Sequence, residues 1–168
     1  MIQKRKKIQK IPGPEEWAGY KDDISARQAH SFWFGKSPDD MQPYFKDGQS
    51  IQRGQELLFM PRRAFQFYIF AFARYVMSET AIGDSDGASS FLGFLIAREK
   101  RDPGSVAQVY EHLAPVVDFI AGSQPRFDAS HDIYGDFAET AEKLRKLLGT
   151  TLAQRDPDDQ MLDPTDDA

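Results

Sequence analysis

The sequence predicts an all-α fold: a single irregular or orthogonal bundle of about five to seven helices around an aromatic-rich central helix. Three observations predict it. Residues 62–77 carry six aromatics in sixteen positions, with apolar residues at helical rather than alternating spacing. No alternating run of β-branched residues is long enough for a strand. Prolines, glycines and cap-forming residues cut the remaining chain into pieces of helix length.

Residues 1–14 read as a flexible basic lead closed by Pro12-Gly13-Pro14, which cannot continue a helix. Trp17 and Tyr20 are expected to anchor that lead on the body. Asp22-Asp23 suits a helix start, and the helix is expected to run to about Phe34 and stop at Gly35. Ala26, Ala29, His30 and Trp33 share one of its faces. Ser37-Pro38-Asp39-Asp40 is a second start, with serine as cap and proline in the first turn, cut short by Pro43. Ile51 to Phe59 adds a short helix.

Pro61 is placed in the first turn of the central helix, where its missing N–H costs nothing. At about 100° per residue, Phe65, Tyr68, Ile69, Phe72 and Val76 form one stripe, the side a helix buries. Phe67, Phe70 and Met77 fall on the opposite side with Arg63 and Arg74. The apolar run, interrupted by Gln66 and Arg74, is shorter than the roughly 20 residues a bilayer needs, so a buried helix in water is expected.

Gly83 to Ser90 reads as a small polar linker, with Ser85 or Asp86 as cap of a helix through Phe91, Leu92, Phe94, Leu95 and Ile96. That helix ends in cations at Arg98-Glu99-Lys100-Arg101 and breaks at Asp102-Pro103-Gly104. Ser105 is expected to cap the next helix, with Val106, Val109, Tyr110, Leu113, Val117 and Ile120 on one face and a kink at Pro115. Gly122 to Pro125 ends it. The last helix runs from Ile133 or Tyr134 to Leu148, buries Phe137, Ala141, Leu144 and Leu148, and stops at Gly149. The domain plan is therefore 1–14 lead, 15–150 helical body and 151–168 disordered acidic tail.

The 168 residues suit one domain, and 13 phenylalanines point to a core of large rings. The absence of cysteine excludes disulfides, thiolate metal sites and cysteine nucleophiles, and fits a reducing compartment. Ile8 to Tyr20 offers no apolar core for a secretory leader, so the cytoplasm is expected. Charge is unevenly spread. From Asp156 onward there are six aspartates and no base, whereas residues 1–155 hold 20 acids against 21 bases. Lys4, Arg5, Lys6, Lys7 and Lys10 supply five of those bases, which leaves residues 11–155 at −4. A mildly acidic body between a basic and an acidic arm is not the basic surface a nucleic-acid binder presents, so nucleic acid is an unlikely partner.

Chemistry-bearing clusters are sparse. Asp128, His131 and Asp132 would share a face on one helical turn and could then ligate a metal ion; starting a helix is their ordinary role. Asp23, Arg27 and His30 form a second polar group, a histidine beside a carboxylate being suited to acid–base work. His112, beside Glu111, is expected to be exposed. Gly83-Asp84-Ser85-Asp86-Gly87 has acids that repel phosphate and lacks the oxygen spacing of a calcium loop. Trp33 to Ser37 and Tyr134 to Phe137 read as loop anchors that can also edge a groove. The exposed side of the central helix gives the partner-binding candidates Arg63, Phe67, Phe70 and Arg74, whose ordinary alternative is packing under another helix.

The sequence therefore leads to a non-enzymatic, bacterial-type protein-interaction domain without cofactor. In its most specific form it is an immunity- or antitoxin-like inhibitor of a basic partner, drawn by the acidic body. Association with a second copy is also possible on this reading. The alternative is a small metal-assisted hydrolase using His30 or His131 with nearby aspartates.

Overall fold

The computed structural model describes residues 10–154, and these form an all-α bundle with no strand among them. The helices are α1 (Ile24–Trp33), α2 (Pro38–Met41), α3 (Ser50–Phe59), α4 (Arg62–Met77), α5 (Ser85–Arg101), α6 (Tyr110–Gly122), α7 (His131–Tyr134) and α8 (Phe137–Ala153). Short 3-10 turns join several of them. The lead up to residue 9 and the acidic tail from residue 155 lie outside the described residues.

α4 is the helix around which the others gather: α2, α3, α5 and α6 all pack on it. Its expected stripe of Phe65, Tyr68, Ile69, Phe72 and Val76 is buried, and Ala64, Ala71, Ala73 and Tyr75 widen that stripe. Pro61 sits just ahead of the first turn, where its carbonyl accepts from Phe65 N at 3.0 Å. Phe72 stacks on Phe45 at 4.6 Å between ring centres and meets Phe91 edge-on at 5.2 Å. Phe45 thus joins the aromatic core from the 3-10 turn 42–45 that follows α2.

Most start signals act as read. The Asp23 carboxylate accepts from Ala26 N at 2.8 Å and caps α1. Ser37 and Asp40 form a reciprocal capping box around α2. Trp17 is fully buried, and Pro12 is buried too.

Four expectations are corrected. Gly83 to Ser90 is not a linker: α5 begins at Ser85 and its cap is Asp84, not Ser85 or Asp86. The small residues there serve close packing. A Cβ on Gly87 would lie 2.3 Å from the Asp84 carboxylate and 3.2 Å from Ser50 Oγ, and one on Gly54 would lie 2.3 Å from the Phe94 ring. At Gly54 the absent side chain makes room for the Phe94 ring of α5, and at Gly87 it makes room for the Asp84 cap and, less tightly, Ser50 of α3. Ser105 does not cap a helix either; it is buried beside Arg98, a 3-10 turn over 107–109 follows, and α6 opens at Tyr110 and passes through Pro115 as one helix. The last helix is two: Gly135, at φ +70, separates the single turn α7 from α8, which Asp136 caps. Gly149 does not stop α8, which continues to Ala153 past the expected boundary at 150. Thr150 and Thr151 hydroxyls bond back to the carbonyls of Lys146 and Leu147, at 3.1 and 3.2 Å.

Candidate functional site

The outer side of α4 is neither sealed beneath another helix nor fully bare. Phe67 and Phe70 are half-buried, while Arg63 and Arg74 are exposed. All four line one open cleft of about 690 Å³. Its other walls come from three separate pieces of chain: Lys10, Pro12 and Glu16 of the N-terminal segment, Pro38 at the start of α2, and Val109 and His112 at the start of α6. The sequence thus identified one wall of this cleft and assigned none of the others to it.

Local chemistry positions each part. The Glu16 carboxylate accepts from Gly13 N at 2.8 Å, which closes the turn that carries Pro12 inward. Hydrogen bonds from the Glu16 and Gly13 backbone hold that carboxyl below its ordinary value, with smaller help from Lys10 and Arg63. Gln66 Nε2 donates to Ser105 O at 3.0 Å and to Gln108 Oε1 at 2.8 Å, which ties α4 to the chain leading into α6. Arg74 Nη1 contacts Asp39 Oδ1 at 2.6 Å, but both side chains are largely exposed, so this pair contributes at most about 1 kcal/mol. Arg63, in the first turn of α4, has no ion-pair partner among the described residues. It stands where unpaired N–H groups and the helix dipole already make the potential positive.

The cleft thus has an apolar floor of Phe67, Phe70, Pro12, Pro38 and Val109, and a rim with the cations Lys10, Arg63 and Arg74 against two carboxylates, Glu16 in the lining and Asp39 paired with Arg74. It offers no nucleophile paired with a base.

The other candidates are not assembled into sites. Asp128, His131 and Asp132 are all exposed, and no group of three or more His, Cys, Asp or Glu side chains among the described residues is placed to hold a metal ion. The expected shared turn does not exist, because Asp128 is a left-handed residue ending the 3-10 turn 124–127, three residues before α7 starts. Asp23 and Arg27 do not pair: the carboxylate caps α1 and Arg27 Nη1 donates to Lys21 O at 2.9 Å. Asp84 is likewise committed, accepting from Gly87 N, Tyr75 OH and Ser50 Oγ at 2.9, 2.6 and 3.1 Å.

His30 is stacked between Tyr20 at 3.8 Å and Phe34 at 4.5 Å, with Trp17 edge-on at 5.2 Å. Burial, and then the charge of Lys21, lower its pKa. The folded chain therefore releases this proton more readily than the unfolded chain, which binds it near pH 6.5. His30 stabilises the fold fully above about pH 6.5, and that share is lost as pH falls toward the folded value. The melting temperature should drop between pH 7.5 and 5.5 by more in the wild type than in His30→Phe, which keeps a stacking ring. Equal drops would show that this stack does not titrate with folding.

No helix among the described residues is long and apolar enough to cross a membrane. No protein-family model, curated protein or solved structure matches this chain. The case for function therefore stands on the cleft.

Proposed function

We propose that the protein is a non-catalytic binding domain whose cleft takes a segment of another protein, apolar at its centre and acidic at its flanks. The observation that carries this is the joint presence of Phe67 and Phe70 as a half-buried floor and Lys10, Arg63 and Arg74 as its rim. Aromatic and arginine side chains dominate contact energies at interfaces when they can be buried by a partner. The net charge of residues 11–155 is −4 and by itself attracts a basic partner over distance. Local complementarity decides what seats in the cleft, however, and the cations there point to the opposite sign. The domain would act on its partner by occupying it, as an inhibitor or a scaffold does.

Selection of an unbiased peptide library against the immobilised full chain tests this reading. The expected winners carry Leu, Met or an aromatic between Asp or Glu residues. Their affinity should fall at least about tenfold, or about 1.4 kcal/mol, in Arg63→Glu/Arg74→Glu. Both arginines are exposed, so the variant should melt close to the wild type. Enrichment of basic peptides, or binding indifferent to the charge reversal, would overturn the proposal.

A further inference from the structure

We infer that the first occupant of this cleft is the protein's own acidic segment, residues 156–168. The inference rests on the reading of the cleft as a binding face and names a ligand for it. Segment 156–168 reads Asp-Pro-Asp-Asp-Gln-Met-Leu-Asp-Pro-Thr-Asp-Asp-Ala. Met161 and Leu162 lie between Asp158-Asp159 and Asp163, and no base follows Asp156. Apolar side chains between carboxylates are the chemistry that Phe67 and Phe70 between Arg63, Arg74 and Lys10 would select.

The connection permits it. α8 ends at Ala153 and packs along α6 and against the turn 107–109, whose last residue, Val109, lines the cleft. Met161, the first apolar residue of the segment, is eight residues beyond Ala153, which sets its reach at about 28 Å at about 3.5 Å per residue. A tether of that length holds the segment near the cleft at an effective concentration on the order of millimolar, so weak individual contacts suffice. The charge distribution then has a physical role. The six aspartates offset the cationic rim.

The absence of cysteine from the whole chain makes a direct test clean. A nitroxide on Thr165→Cys, in the otherwise unchanged full chain, reports which backbone amides the segment approaches. At low salt the amide signals of Arg63, Phe67, Phe70 and Arg74 should lose more than half their intensity, while those of Ile51 and Phe94 on another face keep theirs. Intensity should return in 1 M salt, where charges are screened beyond about 3 Å. It should also return in Arg63→Glu/Arg74→Glu. Undiminished cleft signals at low salt, or attenuation confined to another face, would overturn the inference. The peptide selection separates the two proposals. Acidic–apolar winners together with an untouched cleft would sink self-occupancy alone. A label that reaches the cleft, with no peptide selected even after all six aspartates are replaced by asparagine, would sink the outside partner and leave self-occupancy standing.

Discussion

Phe72→Ala should lower the stability of the domain by about 3–5 kcal/mol, the range for deleting a large ring from a packed interior. Phe72 has no solvent exposure and lies between two further buried rings, Phe45 and Phe91. Those partners come from different parts of the chain, the turn after α2 and the middle of α5. Removing the ring therefore weakens two joints at once, α4 with the turn after α2 and α4 with α5. The cavity would not collapse easily, because each wall is itself a rigid ring wedged against others: Phe45 also stacks on Tyr75 at 5.7 Å. For a body of this size the change corresponds to a fall in melting temperature of about 6–20 °C. Phe72→Leu keeps most of the volume and should recover much of the loss. A melting temperature that barely moves in Phe72→Ala would mean that α4 does not organise the core.

The position of Phe72 was legible because burial follows a period. The same holds for Phe65, Tyr68, Ile69 and Val76 on α4 and for Phe137, Ala141, Leu144 and Leu148 on α8, all buried as the spacing required. Caps were legible where the signal is one side chain reaching one turn, as at Asp23 and Ser37. Small residues misled. Gly87 and its neighbours look like a linker because small polar residues are common in linkers, but a cap folded back on the first turn, beside Ser50 of α3, calls for the same composition. Local sequence cannot distinguish a glycine that bends a chain from one that admits a neighbour.

The cleft was half legible for a related reason. Arg63, Phe67, Phe70 and Arg74 lie on one helix, so geometry at 3.6 residues per turn assembles them. Lys10, Pro12, Pro38, Val109 and His112 come from elements that only the tertiary fold brings opposite. His112 was expected to be exposed, and it is; that its exposed side faces the Phe67–Phe70 floor depends on the packing of α4 and α6. The metal candidate failed by the reverse route. Asp128, His131 and Asp132 are close in sequence, but the left-handed backbone at Asp128 keeps them off one helical turn.

The second large effect is expected at Arg98, which the sequence placed among the cations that suit the dipole at the end of α5. The side chain is instead buried, 3% exposed. Its Nη1 donates to the Leu58 and Met60 carbonyls at 2.8 and 2.6 Å, which satisfies acceptors left open at the end of α3. Nη2 pairs with Asp102 at 3.0 Å, Nε reaches Ser105 Oγ at 3.3 Å, and the guanidinium lies 4.7 Å above the Phe65 ring. Burial lowers the pKa of Arg98, yet the bonds keep the charge in place. On the other side Arg62 also bonds Asp102, and its hydrogen bond is the leading reason that carboxyl is held below its ordinary value. The adjacent Glu99 is buried as well, accepting from Gly104, Val106 and Ala107 N at 2.7, 2.8 and 3.2 Å. One guanidinium thus joins the end of α3, the start of α4 and the chain that leads to α6. Arg98→Met keeps the apolar stem and deletes every one of these bonds, leaving buried carbonyls without a donor. It should cost about 2–5 kcal/mol, mainly from the Leu58 and Met60 carbonyls left without a donor at about 1–3 kcal/mol each, since Asp102 keeps its bond to Arg62. Arg98→Lys retains the charge but lacks the planar fork that reaches four acceptors together, so it should recover only part of that loss. Urea unfolding of the two variants checks this; if both unfold at the wild-type midpoint, Arg98 does not tie these elements together.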